Sequence, residues 1–170
     1  MKLINFLTLN ATYRPWTVTT LFQMRDARSV MPCIDLPFMK ATLDICITHP
    51  PGTEARYISP LEIIRIIRRN MGYLGHLKIA ILQYMSEFTG FDYPLKKLSL
   101  FSTSLPVNGV ENFGLIVLNE RWMAYPKYRM AHSILAHEIA HQWIGNIVTV
   151  KKWNEICLQV HFYLTFSIHY

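Results

Sequence analysis

The spacing of apolar and polar residues differs between the two ends of the chain. Two stretches near the N-terminus, VTTLF (18–22) and ATLDICIT (41–48), are rich in β-branched and apolar residues, and the second alternates as a half-buried strand does. The segment between them contains two prolines and is typical of a structured loop, and HPPGT (49–53) is a strong break. The pattern predicts a strand-rich N-terminal part.

Helical periodicity dominates after this break. Ser59 in the N-cap position and Glu62 in the capping-box position predict a helix over SPLEIIRIIRRNMGYLG (59–75). A second helix is predicted over HLKIAILQYMSEF (76–88), ending at Thr89 and Gly90.

The C-terminal half contains both strand-like and helix-like patterns of apolar residues. KLSLFST (97–103) and FGLIVLN (113–119) are typical of strands. Helices are predicted from about Met130 to Trp143 and from Asn154 to Phe166. The whole chain is therefore predicted to be α+β.

Composition adds an expectation about surfaces. The chain has 170 residues, of which 51% are hydrophobic, and its mean hydropathy is +0.17. This is enough for one domain or pieces of two, and the apolar excess predicts exposed faces that associate with another surface. No apolar run is long enough to cross a membrane, so we expect no transmembrane segment. Three cysteines do not indicate a disulfide framework.

The net charge of +6 does not by itself indicate a nucleic-acid partner. Lysine and arginine are scattered, and the one dense cluster, RIIRRN (65–70), places three arginines on one helical face, which is typical of a solvated face. Basic residues do not interleave with aromatic ones. We therefore expect no nucleic-acid binding.

One sequence pattern contains candidate metal-binding and catalytic residues. His137, Glu138 and His141 form an HExxH pattern, which places two imidazoles on one face of a helix, close enough to share an ion. Imidazole suits zinc, and Glu138 could take a proton from a metal-bound water as general base. The alternative is a pair of histidines on an amphipathic helix without a metal.

Longer stretches around this pattern resemble one family. They are HEIAHQWIGN followed by VTVKKWNE, NGVENFGLIVLNER (108–121), and TTLFQMRDARSVMPCIDLPFMKATLDI (19–45). In the order in which they occur along the chain, they resemble the zinc aminopeptidases of the aminopeptidase N family, peptidase family M1. The middle block resembles the family's exopeptidase motif, usually Gly-Ala-Met-Glu-Asn, but carries Asn108, Gly109 and Val110 in its first three positions.

The resemblance implies an architecture. Residues 1–52 would be part of a β-rich N-terminal domain, and residues 53–170 would be a fragment of a thermolysin-like (gluzincin) catalytic domain. Relative to the family, the chain is interpreted as internally deleted after HPPG and truncated at Tyr170, before the family's transition-state tyrosine. Family members are found both as membrane ectoenzymes and inside cells, so the compartment stays open.

The resemblance also implies site roles. His137 and His141 would be zinc ligands and Glu138 the general base. Glu111, with Asn112, would bind the free α-amino group of a peptide substrate, and Gln23 would be a second amine contact. The implied reaction is removal of N-terminal residues from peptides by zinc-activated water.

The third ligand position departs from the family. The family's Asn-Glu-Gly step is Gln159-Val160-His161 here, and valine has no lone pair with which to bind zinc. His161 and Glu155 are the neighbours that could substitute, but His161 is rotated by about 100° around the helix. We therefore expect an impaired peptidase. The alternatives are a non-catalytic protein that binds peptide N-termini or a partner, and a truncated product without independent function.

Overall fold

The computed structural model describes residues 20–23, 25–42, 46, 48, 51, 71–104 and 106–159. The N-terminal described residues form an extended segment with one 3₁₀ turn, Ala27–Ser29. The predicted loop over residues 25–37 is confirmed as irregular structure. The Arg28 side chain fixes its shape by donating to Asp35 at 2.8 Å.

The two N-terminal strands are not observed where the structure describes them. Residues 20–22 and the described residues of 41–48 are in no strand. An isolated apolar stretch becomes a strand only where a second strand accepts its backbone hydrogen bonds, and these residues have no such neighbour within the described part of the chain. The helix predicted over residues 59–75 lies largely outside the described residues.

The C-terminal half contains a small mixed sheet. Its strands are β1 (Ser99–Thr103), β2 (Gly109–Val110) and β3 (Leu115–Asn119), in the order β1-β3-β2. β1 runs parallel to β3, with Ser99 opposite Leu115, and β2 runs antiparallel to β3. All five residues of β3 are buried, because it is the central strand. The strands predicted around 97–103 and 113–119 are confirmed.

The first described helix is α1 (Met71–Thr89). The prediction of a break between residues 75 and 76 is wrong, since α1 runs through it without interruption. A glycine inside a helix costs only about 1 kcal/mol, and burial of Leu74, Ile81 and Met85 in the core outweighs that cost. The predicted end at Thr89 and Gly90 is confirmed; Gly90 has a φ of 66°, the left-handed conformation common after a helix.

Two further helices follow the sheet. Short α2 (Glu120–Ala124) begins where the Asn119 side chain accepts a hydrogen bond from the backbone N–H of Arg121. α3 (Arg129–Trp143) packs against α1 and the sheet, and it contains the HExxH pattern. Its buried residues, with those of α1 and β3, form one core that includes Leu135, Ile139 and Ile116. The mixed helix and sheet content confirms the α+β prediction.

A tight loop closes the C-terminal end of α3. The backbone N–H groups of Asn146, Ile147 and Val148 donate to the carbonyls of residues 141, 142 and 143 at 2.8–3.1 Å. These bonds satisfy carbonyls that a helix end otherwise leaves without partners. A 3₁₀ turn, Trp153–Glu155, follows, and residues 156–159 are helical, which agrees with the start of the predicted last helix.

The N-terminal segment presents an apolar surface. Its large exposed apolar side chains are Val30, Met31, Ile34, Leu36, Phe38 and Met39. Exposed apolar faces were expected from the composition; their association with another surface stays a prediction. Within the described residues, no helix has the length and apolar character needed to cross a membrane.

Candidate active site

The two histidines of the HExxH pattern lie side by side on α3. His137 is half-buried and His141 is 5% exposed, and their ring centroids are 4.9 Å apart with the planes nearly perpendicular. Residues four apart occupy neighbouring turns of a helix, which produces this proximity. The predicted helix therefore brings the two imidazoles together.

The ring of His141 is oriented by the end of its own helix. Nδ1 of His141 lies 3.2 Å from the carbonyl oxygen of Ile144. Because a carbonyl only accepts, Nδ1 carries the proton and the lone pair is on Nε2. Metal-binding histidines usually have such a backbone or carboxylate partner, which fixes the tautomer and the ring orientation.

The carboxyl group of Glu138 lies in a niche beside Gly109. Glu138 is 4% exposed, and within the described part of the chain its buried Oε2 has no hydrogen-bond partner. A Cβ atom at Gly109 would lie 2.6 Å from Cδ of Glu138 and closer still to Oε1. Only glycine at position 109 therefore leaves room for the carboxyl group in this position.

Burial also changes the acidity of these groups. Burial and, to a smaller extent, the charge of Glu111 raise the pKa of Glu138 to about 8. Burial and the neighbouring His141 lower the pKa of His137 to about 4, and burial lowers the pKa of His141. Both imidazoles are thus neutral at neutral pH, as metal ligation requires, whereas the Glu138 carboxyl is largely protonated in these surroundings.

Glu111 lies at the same site, on the loop between β2 and β3. Its side chain is 19% exposed, and Oε1 is 3.9 Å from Nε2 of His141. The Gln23 amide donates to the same oxygen at 3.4 Å. The structure therefore brings Gln23, Glu111 and the HExxH residues together, although these residues are far apart in the sequence.

The Glu111 loop is fixed to α3 through its backbone. The carbonyl oxygen of Glu111 accepts from the side chains of Asn146 at 2.7 Å and Gln142 at 3.1 Å. Asn112 contributes its carbonyl, which accepts from Leu115 N–H at 2.9 Å and from Gln142 at 3.4 Å. The carboxylate of Glu111 is thus presented by a loop whose backbone is held in place.

The donor set fits a catalytic zinc ion only in part. Such an ion takes three protein ligands and keeps a fourth position open. His137 and His141 supply two nitrogens, and no group of three or more His, Cys, Asp or Glu side chains that could hold a metal exists within residues 71–104 and 106–159 or the described N-terminal segment. Val160 and His161 lie outside the described residues.

Glu155 does not substitute for the missing ligand. Its carboxylate accepts from the backbone N–H groups of Lys151 and Lys152 at 3.2 and 3.3 Å. These two bonds hold the carboxylate at the 3₁₀ turn, where it satisfies backbone donors. The described residues therefore do not supply the three protein ligands of a catalytic zinc site.

Three residues that build the site were not identified from sequence. Gln142 and Asn146 lie in the stretch that resembles the family and Gly109 lies where the exopeptidase motif departs from it, but the sequence alone assigns none of them a contact in the site. Their contacts depend on where the loop between β2 and β3 lies relative to α3. The one available signal is the Gln142 amide, which shares a helical face with the apolar Leu135 and Ile139 and with Glu138.

Two family models match this chain. Residues 73–168 match the family model described as the peptidase family M1 domain, which covers more than half of the chain. This chain belongs to peptidase family M1. Residues 8–64 match the peptidase M1 N-terminal domain.

Curated members of the M1 family are similar over most of this chain. Identity is 26% to Aminopeptidase Q of Mus musculus, over 89% of the chain and 38% of that protein. Identity is 29% to Aminopeptidase N of Canis lupus familiaris, over 85% of the chain and 21% of that protein. It is 25% to Glutamyl aminopeptidase of Bos taurus, over 81% of the chain and 20% of that protein.

The M1 relatives are much longer than the part that this chain matches. The chain spans between about a fifth and two fifths of their length. The alignment with Aminopeptidase Q runs over 212 residues, which is more than the 170 residues of this chain. The relative therefore contains residues within the matched span that have no counterpart here, as an internal deletion requires.

Proposed function

We propose that this chain is an aminopeptidase-type domain that binds the N-terminus of a peptide through Glu111 and whose zinc-dependent hydrolysis is impaired. The observation that carries the proposal is the meeting of Glu111, Glu138, His137 and His141 at one site. Membership of a peptidase family supports the reaction class, and Val160 at the third-ligand position supports the impairment. We also propose that residues 53–170 are part of a thermolysin-like unit and residues 1–52 part of a β-rich domain.

The carboxylate of Glu111 suits an amine. It is only 19% exposed, so an ammonium ion that reached it would be largely removed from water, where a charge-assisted hydrogen bond is strong. The Gln23 amide beside it can orient the same carboxylate. This arrangement favours a free peptide N-terminus over a blocked one.

Hydrolysis needs more than binding of the peptide amine by Glu111. Glu138 would have to be ionised to accept a proton, and the positive charge of a bound metal ion would favour that ionised form. Two imidazoles hold zinc less firmly than three ligands do. The incomplete ligand set therefore favours an impaired enzyme over an efficient one.

The test is an aminopeptidase assay with a fluorogenic alanyl amide in zinc-containing buffer. Val160→Glu should raise turnover at least about 100-fold, since loss of even an outer-shell partner of a metal site costs 10–100-fold. The double variant Val160→Glu with Glu138→Gln is the control and should lose this gain. Equal turnover of the native chain and the Val160→Glu variant would refute the impairment.

A second candidate function is peptide binding without cleavage. The observation that favours it is the position of Glu111, which is held by Gln142 and Asn146 and does not require a ligand at position 160. Under this proposal Glu111→Gln abolishes binding of a free-amine peptide, measured by NMR titration. Unchanged binding by that variant would exclude Glu111 as the amine contact.

A further inference from the structure

Gln142 is a completely buried amide at the centre of the site. Its exposed fraction is 0%, and it directly follows the histidine at position 141 in α3. A buried amide is costly unless its donors and acceptors are satisfied, and an apolar side chain of similar size would fill the same space without that requirement. The contacts of Gln142 therefore indicate what the amide does.

The donor side of Gln142 reaches the loop that carries Glu111. Its Nε2 lies 3.1 Å from the carbonyl oxygen of Glu111 and 3.4 Å from that of Asn112. The same nitrogen lies 3.4 Å from the carbonyl oxygen of Glu138, one turn earlier in α3. One NH₂ group thus joins the Glu111 loop to the helix of the HExxH pattern.

The acceptor side fixes the other end of the same loop. Oε1 of Gln142 accepts from the backbone N–H of Gly114 at 3.0 Å and from the Tyr93 hydroxyl at 3.4 Å. An amide has two donor hydrogens and two acceptor lone pairs, so these contacts use both sides of Gln142. Gly114 itself has a φ of 80°, a conformation that suits glycine.

The loop that carries Glu111 lies outside the strands, so its conformation depends on bonds such as those to Gln142. β2 ends at Val110 and β3 begins at Leu115, so Glu111 and its neighbours lie between strands. The amide of Gln142 bonds to backbone groups of Glu111, Asn112 and Gly114, three of the four residues in this gap.

We infer that Gln142 is a positioning residue, which sets the place of the Glu111 carboxylate relative to the HExxH helix. The inference rests on the proposed function in which Glu111 binds a peptide amine. Gln142 itself does not contact the peptide. Its amide acts through the backbone of the Glu111 loop, so its loss changes how well the site distinguishes a free N-terminus from a blocked one.

The experiment compares two probes, leucyl-leucine amide and its N-acetylated form, by NMR titration of the full chain. The native chain should bind the free-amine probe at least about tenfold more tightly, which corresponds to about 1.4 kcal/mol. Gln142→Met, which keeps the length but has no amide, should reduce this ratio about fivefold or more. Gln142→Glu keeps an acceptor for Gly114 but cannot donate to Glu111, and should reduce it as well.

A destabilised core variant separates positioning from simple loss of stability. Ile81→Ala in α1 removes the volume of a buried apolar side chain that cannot form hydrogen bonds to the Glu111 loop, and a purely structural effect would lower the affinity for both probes together. The inference predicts that Ile81→Ala keeps the native ratio. The inference is overturned if Gln142→Met or Gln142→Glu keeps the native ratio of the two affinities. It is also overturned if Ile81→Ala loses that ratio. A native chain without preference for the free amine overturns the proposed function and this inference together.

Discussion

At the scale of single residues, the close approach of Gly109 and Glu138 decides where the Glu138 carboxyl lies. The resemblance to the exopeptidase motif indicates alanine as the usual residue at this position, and a β-carbon here would overlap the Glu138 carboxyl. The end of a glutamate side chain moves easily, so an added methyl group displaces the carboxyl from the niche without disturbing the backbone.

The contact between Gly109 and Glu138 can be measured with a double-mutant cycle on the free energy of unfolding. Gly109→Ala should be neutral or slightly stabilising in a Glu138→Ala background, because the obstructing carboxyl is gone and alanine restricts the unfolded chain. In the native background it should be less favourable, with a coupling of about 1 kcal/mol. Additivity within about 0.3 kcal/mol would show that the two residues do not touch.

The raised pKa of Glu138 predicts a pH effect in chain dialysed against a chelator. The pKa is raised from 4.5 to about 8, so between these values the folded chain retains a proton that the unfolded chain has lost. Stability contributed by the protonated carboxyl is therefore complete below pH 4.5 and lost as the pH rises through about 8. Glu138→Gln cannot ionise.

Urea denaturation across this range should therefore show that the advantage of Glu138→Gln over the native chain increases from pH 5 to pH 8. His137 and His141 act in the opposite direction, since their lowered pKa values favour the folded chain above pH 6.5 and disfavour it as the pH falls. They are present in both proteins, so the difference between the two isolates Glu138. A constant difference across the range would contradict the burial of a protonated carboxyl.

The residues of the site were predictable to different degrees. The proximity of His137 and His141 follows from helical spacing alone, and the structure confirms it. The position of Glu111 beside them came from a family resemblance, because no local rule joins a loop at residue 111 to a helix at residue 141. The contacts of Gln142 depend on that same tertiary arrangement, so sequence reasoning did not find them.

At the scale of elements, α3 is the part on which the site is built. Its buried face packs on α1 and the sheet, while its two histidines face the Glu111 loop. Leu135→Ala should cost about 2–5 kcal/mol in the free energy of unfolding, because this side chain is fully buried in the core.

A control variant lies on the same helix as Leu135. Met130 is 56% exposed in the first turn of α3, and Met130→Ala should change the free energy of unfolding by no more than about 0.5 kcal/mol. Urea denaturation of both variants tests the assignment of buried and exposed faces. Comparable losses in the two would contradict the packing of α3.

The elements also show where sequence reasoning fails. β1 and β3 are rich in apolar residues and α3 is a long run without a proline or glycine, and all three lie close to their predicted bounds. Two-residue β2 is too short to have a period of its own. The break proposed near Gly75 was wrong because a local preference against glycine is smaller than the gain from packing α1 on the core.

At the scale of the whole molecule, the N-terminal segment is attached to the loop after α3. The Lys40 ammonium donates to the carbonyl oxygens of Asn146 at 2.7 Å and Ile147 at 3.0 Å. The Trp153 indole donates to the carbonyl of Asp35 at 3.5 Å. Because Asn146 also bonds to Glu111, the segment supports the Glu111 loop indirectly.

Lys40→Met should therefore loosen this attachment. We expect faster hydrogen exchange of the backbone amides of residues 145–148 than in the native chain, measured by mass spectrometry, because two bonds to the loop are lost. Lys127→Met, which changes an exposed lysine between α2 and α3, is the control and should leave exchange there unchanged. Unchanged exchange in Lys40→Met would show that the contact does not stabilise the loop.

Elemental analysis of zinc in the purified chain after dialysis, beside the Val160→Glu variant, tests whether position 160 limits metal binding. The variant should retain about one zinc per chain and the native chain far less, since a carboxylate at position 160 would complete a three-ligand set with the two histidines. A native chain that holds about one zinc as firmly as the variant would show that another group completes the site, and Val160 would then not explain an impaired peptidase.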